Sequence, residues 1–310
     1  MQDLPVLQTG HPRTEQGFLR PIPEIEIPFG LVEGASPGPC LVVTAGVHAS
    51  EYCSIEAAVR LMRTDPQKLR GTLLILPILN VSGFPARSIY VMPEDGNNLN
   101  RMFPGQPEGS VGERLADWLV TQVFPKADAY LDLHGGDMSE GLVPFTIYPG
   151  GHAPSEALAA VFGLPIAVGS QSKGNTISAA GALGIPSVLV EIGCNGLWDE
   201  ADVEATLDGI ERVMRHMQMT EGAPNPVTAP RFMTMSVPLA PVSGLWYSAK
   251  RLSDQIAVGD RLGEIRDVFG TVLAAIVAEK PGEVLYQLTT LAVNAGEALV
   301  GIGIPTESAA

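Results

Sequence analysis

Cysteine is nearly absent from this chain: Cys40, Cys53 and Cys194 are the only three in 310 residues. They are too few and too scattered for a disulfide framework or a CxxC zinc site, so a cytoplasmic, reducing location is expected. Basic residues are scarce too. Nineteen Lys and Arg against 34 Asp and Glu leave a formal charge of −15, which argues against nucleic acid and against a polybasic membrane surface as partners. Long apolar runs are missing: stretches such as Leu73–Leu79 and Val272–Ala278 fall far short of the roughly 20 residues a membrane span needs. The N-terminus, MQDLPVLQTG, has no basic segment leading into an apolar one, so no secretory signal is expected. There is no tandem repeat and no low-complexity tract. Histidine is rare, with five residues.

What remains is ample for a core, since 45% of the residues are hydrophobic. At about 150 residues per domain, the length suits two domains or one large domain with an appendage. Residues 1–35 are rich in Pro and charge and read as irregular or accessory. From Leu41 onward, short continuous apolar runs alternate with segments of helical period. Cys40–Ala45, Thr72–Leu79, Ala129–Leu133 and Ser187–Ile192 read as strands buried on both faces, in a sheet of parallel character. Glu51–Arg63, Val111–Val123 and Asp202–Met217 read as helices with one apolar side. The expected class is α/β, with helices covering that sheet. EGAPNPVTAPR (221–231) reads as a linker. Beyond it, short segments punctuated by glycine form a smaller all-β, barrel-like module. The expected domains are therefore 1–222 and 231–310.

Chemistry-bearing residues gather at the ends of the strands, where ligands bind in open α/β sheets. CLVVTA runs into Gly46, His48 and Glu51; AYLDL runs into His134; SVLVEI carries Glu191. His48 and Glu51, three residues apart at a strand-to-helix turn, can point the same way. With a distant His they form a His2Glu set that leaves one zinc position for water, and His134 is the best third ligand. His48 as a hydrogen-bonded rim residue and Glu51 as a first-turn acid is the plainer alternative. His11, His152 and His216 read as solvated. Glu191 interrupts an apolar strand, where a carboxylate needs a metal, a cation or a catalytic task; an ion pair with a core Arg is the alternative. Asn100 and Arg101 lie in a dense polar loop, and the Arg fork suits a carboxylate.

In this order, GVHASE (46–51), DGNNLNRMFPG (95–105), LDLHGGD (131–137) and LVEIG (189–193) resemble the succinylglutamate desuccinylase/aspartoacylase family, a branch of the zinc carboxypeptidase-like amidohydrolases. The resemblance implies a zinc-carboxypeptidase-like mixed sheet covered by helices and one zinc ion per chain, held by His48, Glu51 and His134. It implies that Asn100 and Arg101 bind the carboxylate of the amino-acid part of the substrate, and that Glu191 is the general base. The family's arginine that polarises the scissile carbonyl lies closer to the Asn-Arg pair than Arg87 does here; Arg87 is the nearest candidate, with Tyr90 nearer the family position. The C-terminal module resembles the barrel-sandwich domains attached to this family, through VGDRLGEIRDVFGTV and VNAGEALVGIG. Lys280 has none of the flanks of a lipoate or biotin site. The module either shapes or gates the site or makes a homo-oligomer contact.

The expected activity is zinc-dependent hydrolysis of the amide of a small N-acyl amino acid or related amine, with an acetyl-type acyl group favoured because no second cation is placed for an acyl carboxylate. The same residues also permit a carboxypeptidase-type peptidase acting on short peptides. A non-haem iron protein would use the same two-His, one-carboxylate set. A carrier protein with a degenerate metal site is a third class, against which the intact His48, Glu51, His134 and Glu191 argue.

Overall fold

A computed structural model describes residues 10–306; the first nine residues, on which most of the reading of the N-terminus rests, lie outside them. Seventeen strands are present among the described residues: β1 (Arg13–Ile22), β2 (Ile25–Glu33), β3 (Ser36–Ala45), β4 (Arg70–Leu76), β5 (Ala129–His134), β6 (Glu140–Leu142), β7 (Phe145–Pro149), β8 (Ile166–Ser170), β9 (Ser187–Glu191), β10 (Arg231–Ser236), β11 (Gly244–Ser248), β12 (Gln255–Ile256), β13 (Arg261–Arg266), β14 (Val272–Val277), β15 (Gly282–Leu288), β16 (Ala292–Val293) and β17 (Val300–Pro305). The helices are α1 (Tyr52–Leu61), α2 (Gly83–Ala86), α3 (Val111–Trp118), α4 (Ala153–Phe162), α5 (Thr176–Ala182) and α6 (Glu200–His216). No helix among the described residues is long and apolar enough to cross a membrane.

The main sheet is mixed and runs in the order β1-β2-β4-β3-β5-β9-β7-β8-β10-β17-β15-β12, with β6 added on β15. Its centre is parallel: β3 pairs with β4 and β5, and β5 with β9. β7 joins β9 antiparallel. Alternate residues of these strands enter two different cores. Leu41, Val43, Leu131, Leu133, Val188 and Val190 pack with α1, α4 and α6 on one face. Val42, Leu74, Leu76, Tyr130 and Leu189 pack with α3, α5 and Phe124 on the other. Burial on both sides is why these strands read as unbroken apolar runs.

The reading of residues 1–35 as irregular needs correction over residues 13–33. β1 and β2 form an antiparallel pair, and β2 joins β4. The period-two pattern Ile25, Ile27, Phe29, Leu31, all buried, puts one face of this pair onto the core; Pro21, Pro23 and the flanking charges obscure it. The expected helix 111–123 is α3 with a capping box at Ser110 and Glu113, continued by a wide turn over Leu119–Val123.

No helix follows α6 among the described residues, and residues 221–230 carry neither strand nor helix. The segment beyond contributes a second, four-stranded sheet, β14-β13-β11-β16, but also extends the main one. β10 lies parallel to β8, with Arg231 opposite Ile166 and Met233 opposite Val168. A small core at this seam mixes the two parts: Leu142, Phe145, Ile166 and Val168 with Met233 and Leu285.

Candidate active site

β3, β5 and β9 end side by side at one edge of the sheet. β3 leaves the sheet through Gly46, whose φ of +60° favours glycine. The turn that follows delivers His48 and then Glu51, which occupies the N-cap of α1 without capping it. Its carboxylate is turned to other use: Oε1 lies 2.7 Å from His48 Nδ1 and Oε2 lies 2.8 Å from His134 Nδ1. His134 ends β5, directly opposite Glu191 on β9. The chain can leave β5 at this point only because Gly135 has no Cβ; one would sit 2.1 Å from the Ile192 carbonyl oxygen.

The hydrogen bonds around the two imidazoles fix which nitrogens are bare. Asn98 Oδ1 accepts the Asn100 backbone N–H at 2.9 Å, so it is an acceptor, and His48 Nε2 donates to it at 3.1 Å. Asp132, a carboxylate, accepts from His134 Nε2 at 3.0 Å. With each Nε2 carrying the ring proton, both Nδ1 lone pairs face the Glu51 carboxylate. The three donor groups lie within 4.8 Å of one another and are buried. Glu51 Oε2 is buried without a hydrogen-bond donor of suitable geometry. Lone pairs aimed at one another in a dry pocket repel unless a cation lies among them, so this donor set fits a metal ion. The second-layer carboxylate on His134 is the usual device for orienting such a ligand.

The electrostatics agree. Burial alone would raise the Glu51 carboxyl, but His134 and His48 overcome it and bring it down to about 2. Burial opposes charge on His134, yet Glu51 and Asp132 push its pKa well up. Both shifts express a demand for positive charge, which a proton on Nδ1 meets when no ion is there and which a metal ion would take over. Burial, and then Glu51, push the Glu191 carboxyl well above the ordinary range.

Asn100 and Arg101 occupy a short 3₁₀ turn, Leu99–Arg101, capped by Asn98. Asn100 is buried, with its Oδ1 accepting the Thr176 N–H at 3.0 Å, while Arg101 is exposed and donates to the Asn100 carbonyl at 2.8 Å. Arg87 stands apart. It ends α2 in a left-handed conformation, φ 54°, and its exposed guanidinium makes no hydrogen bond or ion pair among the described residues. Tyr90 is at the site, edge-on to His48 with ring centroids 5.3 Å apart. His11, His152 and His216 take no part.

Several residues around the site carry little or no sequence signal. Asp132 is visible only in hindsight as the same-face neighbour of His134 on a strand. Glu140 and Asp137 follow it on the loop and β6. Tyr286, on β15, is raised by burial and then by Glu140 and Glu191, with Arg101 opposing, so the C-terminal segment reaches this chamber. A separate hollow of about 660 Å³, bordered by Asp65, Arg70, Glu211 and Met219, includes none of these residues.

Residues 37–217 match the succinylglutamate desuccinylase/aspartoacylase catalytic domain. The N-alpha-acetyl-L-2,4-diaminobutyric acid deacetylase of Halomonas elongata is 28% identical, over 95% of this chain and 92% of the relative. The crystal structure of a succinylglutamate desuccinylase/aspartoacylase from Rhodobacter sphaeroides superposes with a TM-score of 0.85 at 25% identity, covering 99% of this chain and 100% of that one. The product-bound ectoine utilization protein EutE (DoeB) from Ruegeria pomeroyi gives 0.85 at 25% identity, covering 97% of each chain.

Proposed function

The chain belongs to the succinylglutamate desuccinylase/aspartoacylase family of deacylating hydrolases, and from that premise we propose that it is a zinc-dependent deacylase cleaving the amide of a small N-acyl amino acid, with acetyl the favoured acyl group. The observation that carries the reading is the convergence of His48 Nδ1, His134 Nδ1 and the Glu51 carboxylate on one buried point, with Glu191 opposite His134 on the neighbouring strand. In this reading residues 1–222 form the hydrolase domain, on a zinc-carboxypeptidase-like sheet, and residues 231–310 form an accessory β domain that walls the site through Tyr286.

His48, Glu51 and His134 would hold the ion. A zinc ion there supplies Lewis acidity, which polarises a carbonyl and lowers the pKa of water to about 7. Asp132 and Asn98 keep the two imidazoles in the tautomer that offers Nδ1. Arg101 receives the substrate carboxylate as a charge-assisted pair, and Asn100, pinned through its oxygen by Thr176, keeps its amide NH2 for the same group. Glu191 takes a proton from the attacking water as its oxygen adds to the amide carbon, and returns that proton to the leaving nitrogen as the C–N bond breaks. The products are a free carboxylate and an amino acid. The diaminobutyric acid relative supports this choice of reaction.

Metal analysis of the purified protein, together with a panel of N-acetyl amino acids, N-succinyl amino acids and dipeptides, tests the reading. Stoichiometric zinc and turnover of the acetyl compounds are expected, with kcat reduced at least about 100-fold in Glu191→Gln. Full activity in Glu191→Gln would falsify the assignment. Iron with oxygen-dependent turnover, or a preference for dipeptides, would replace it.

A further inference from the structure

A sheet edge carries unpaired backbone groups, and proteins blunt such edges with charges, prolines or very short strands. Every edge among the described residues is treated in this way except one. β1, at one end of the main sheet, carries Arg13, Glu15, Arg20 and Pro21. β12 at its other end, β6 beside β15, and β16 at one end of the small sheet are only two or three residues long. β14 closes the other end of the small sheet and pairs with β13 alone among the described residues. It has none of these protections. From Val268 to Ala278 the sequence is VFGTVLAAIVA, with no charged residue and no proline, in a chain whose net charge is −15.

The side chains add to this. Ala274 and Ile276 face the core of the C-terminal module, while Leu273, Ala275 and Val277 alternate with them and are exposed. At the tip of the β13–β14 hairpin, Val268 is 78% and Phe269 90% exposed. The tip is held in shape: Asp267 accepts the backbone N–H of Phe269 at 2.9 Å and that of Thr271 at 2.8 Å. A preformed apolar knob costs little further ordering when it is covered. Beyond the far end of β14 a second turn is tied to the chain, with Gly259 N–H donating to the Ala278 carbonyl at 2.8 Å and Ala278 N–H to the Asp260 carbonyl at 2.9 Å. Val258 on that turn is 65% exposed. An apolar knob thus stands at one end of the open strand and an apolar seat at the other. Their side chains and those of β14 expose on the order of 600 Å² of apolar surface, which with the edge backbone approaches the about 800 Å² per partner of a standard interface.

We propose that the occupant of this edge is a second copy of the chain: two β14 strands pair antiparallel about a two-fold axis perpendicular to the small sheet, joining the two four-stranded sheets into one. Residues directly opposite each other in an antiparallel pair share a face, so the axis sets Leu273 of one copy opposite Val277 of the other. Ala275, the smallest side chain of the open face, then meets itself on the axis. The same rotation carries the Val268–Phe269 tip of each copy to the Val258 turn and Pro281 of the other, so both knobs and both seats are filled. A surface whose two ends fit each other is the mark of an isologous contact. The charges agree. The flanks of the strand, Arg266–Asp267 and Glu279–Lys280, each sum to zero, so the axis brings no excess of acid against acid although the whole chains repel.

Sedimentation and light scattering of the full-length protein over a range of concentrations test this, with Leu273→Lys and Val277→Lys beside the wild type and thermal melts reporting folding. Ala275→Cys is oxidised and run on a non-reducing gel, with the wild type as the control for Cys40, Cys53 and Cys194. The wild type is expected at twice the 32.7 kDa of the chain, or a multiple of that. Each lysine variant is expected to halve that mass, with dissociation eased about tenfold or more. Ala275→Cys is expected to cross-link, since opposite Cα atoms lie about 4.5–5.5 Å apart in an antiparallel pair, within reach of a disulfide. A wild type of single-chain mass at every concentration, a mass unmoved in the folded lysine variants, or a dimer that does not cross-link at position 275 overturns the proposal. Should a lysine variant not fold, the Ala275→Cys gel decides alone.

Discussion

Asp132 offers the sharpest test of how the metal centre is held. Its side chain is fully buried. Oδ1 accepts from the Thr44 hydroxyl at 2.6 Å; Oδ2 accepts from the Thr176 hydroxyl and from His134 Nε2. Asp132→Asn preserves volume and replaces one acceptor by a donor. If the amide oxygen keeps His134 and Thr176, the NH2 faces Thr44, whose hydroxyl turns to accept it. Tyr130, 2.6 Å from Thr44 and fully buried, must then turn its hydroxyl proton away from Thr44, and any buried donor left unmet by the rearrangement costs about 1–3 kcal/mol in stability. His134 meanwhile loses the negative charge behind it. Removing such a second-layer carboxylate weakens metal affinity by about 10–100-fold, or about 1.4–2.7 kcal/mol. Competition of the zinc-loaded protein against a calibrated chelator measures the second quantity, and urea unfolding of the metal-free protein measures the first. A variant that unfolds more easily yet binds zinc as tightly as the wild type would refute the reasoning: Asp132 would then be a core residue, and His134 would not be a ligand oriented through it.

Arg101→Ala is expected to raise KM for an N-acetyl amino acid by about 10–100-fold, with much less effect on the corresponding carboxamide, since only the former carries the charge the guanidinium pairs with; steady-state kinetics on both compounds checks this. Gly135→Ala forces a Cβ against the Ile192 carbonyl and is expected to lower both the thermal midpoint and the zinc content, measured on the same preparation. Glu140 gives a pH dependence. Its carboxyl, raised from 4.5 to about 8, binds an extra proton in the folded state, so its contribution is full below about 4.5 and is lost as pH rises through about 8. The metal-free wild type is therefore expected to lose thermal stability across that window, and Glu140→Gln to lose less; parallel curves would count against the assigned shift.

The strands that carry the site are legible in the sequence because both of their faces are buried, which leaves an unbroken apolar run ending at a chemically distinctive residue. His48, Glu51, His134 and Glu191 announce themselves in this way. The hairpin of β1 and β2 hides because its alternation is interrupted by prolines and charges. β6 hides for a different reason. It is only three residues long, and it becomes a strand by pairing with β15, far along the chain, a contact that no local pattern encodes. Glu140, Tyr286 and Asp132 share this difficulty: each matters through a neighbour distant in sequence.

The seam between β8 and β10 has a practical consequence for anyone who would take the molecule apart. A fragment ending at residue 222 would contain every proposed ligand, yet it would bare the outer edge of β8 and strip Met233 and Leu285 from Phe145, Ile166 and Val168. An open edge beside an apolar patch is a template for further strands, so such a fragment is more apt to polymerise than to work. Grafting a C-terminal segment from one relative onto another must likewise keep Arg231 opposite Ile166. A slip of one residue there would turn the graft's apolar face outward and withdraw Tyr286 from the chamber it helps to close.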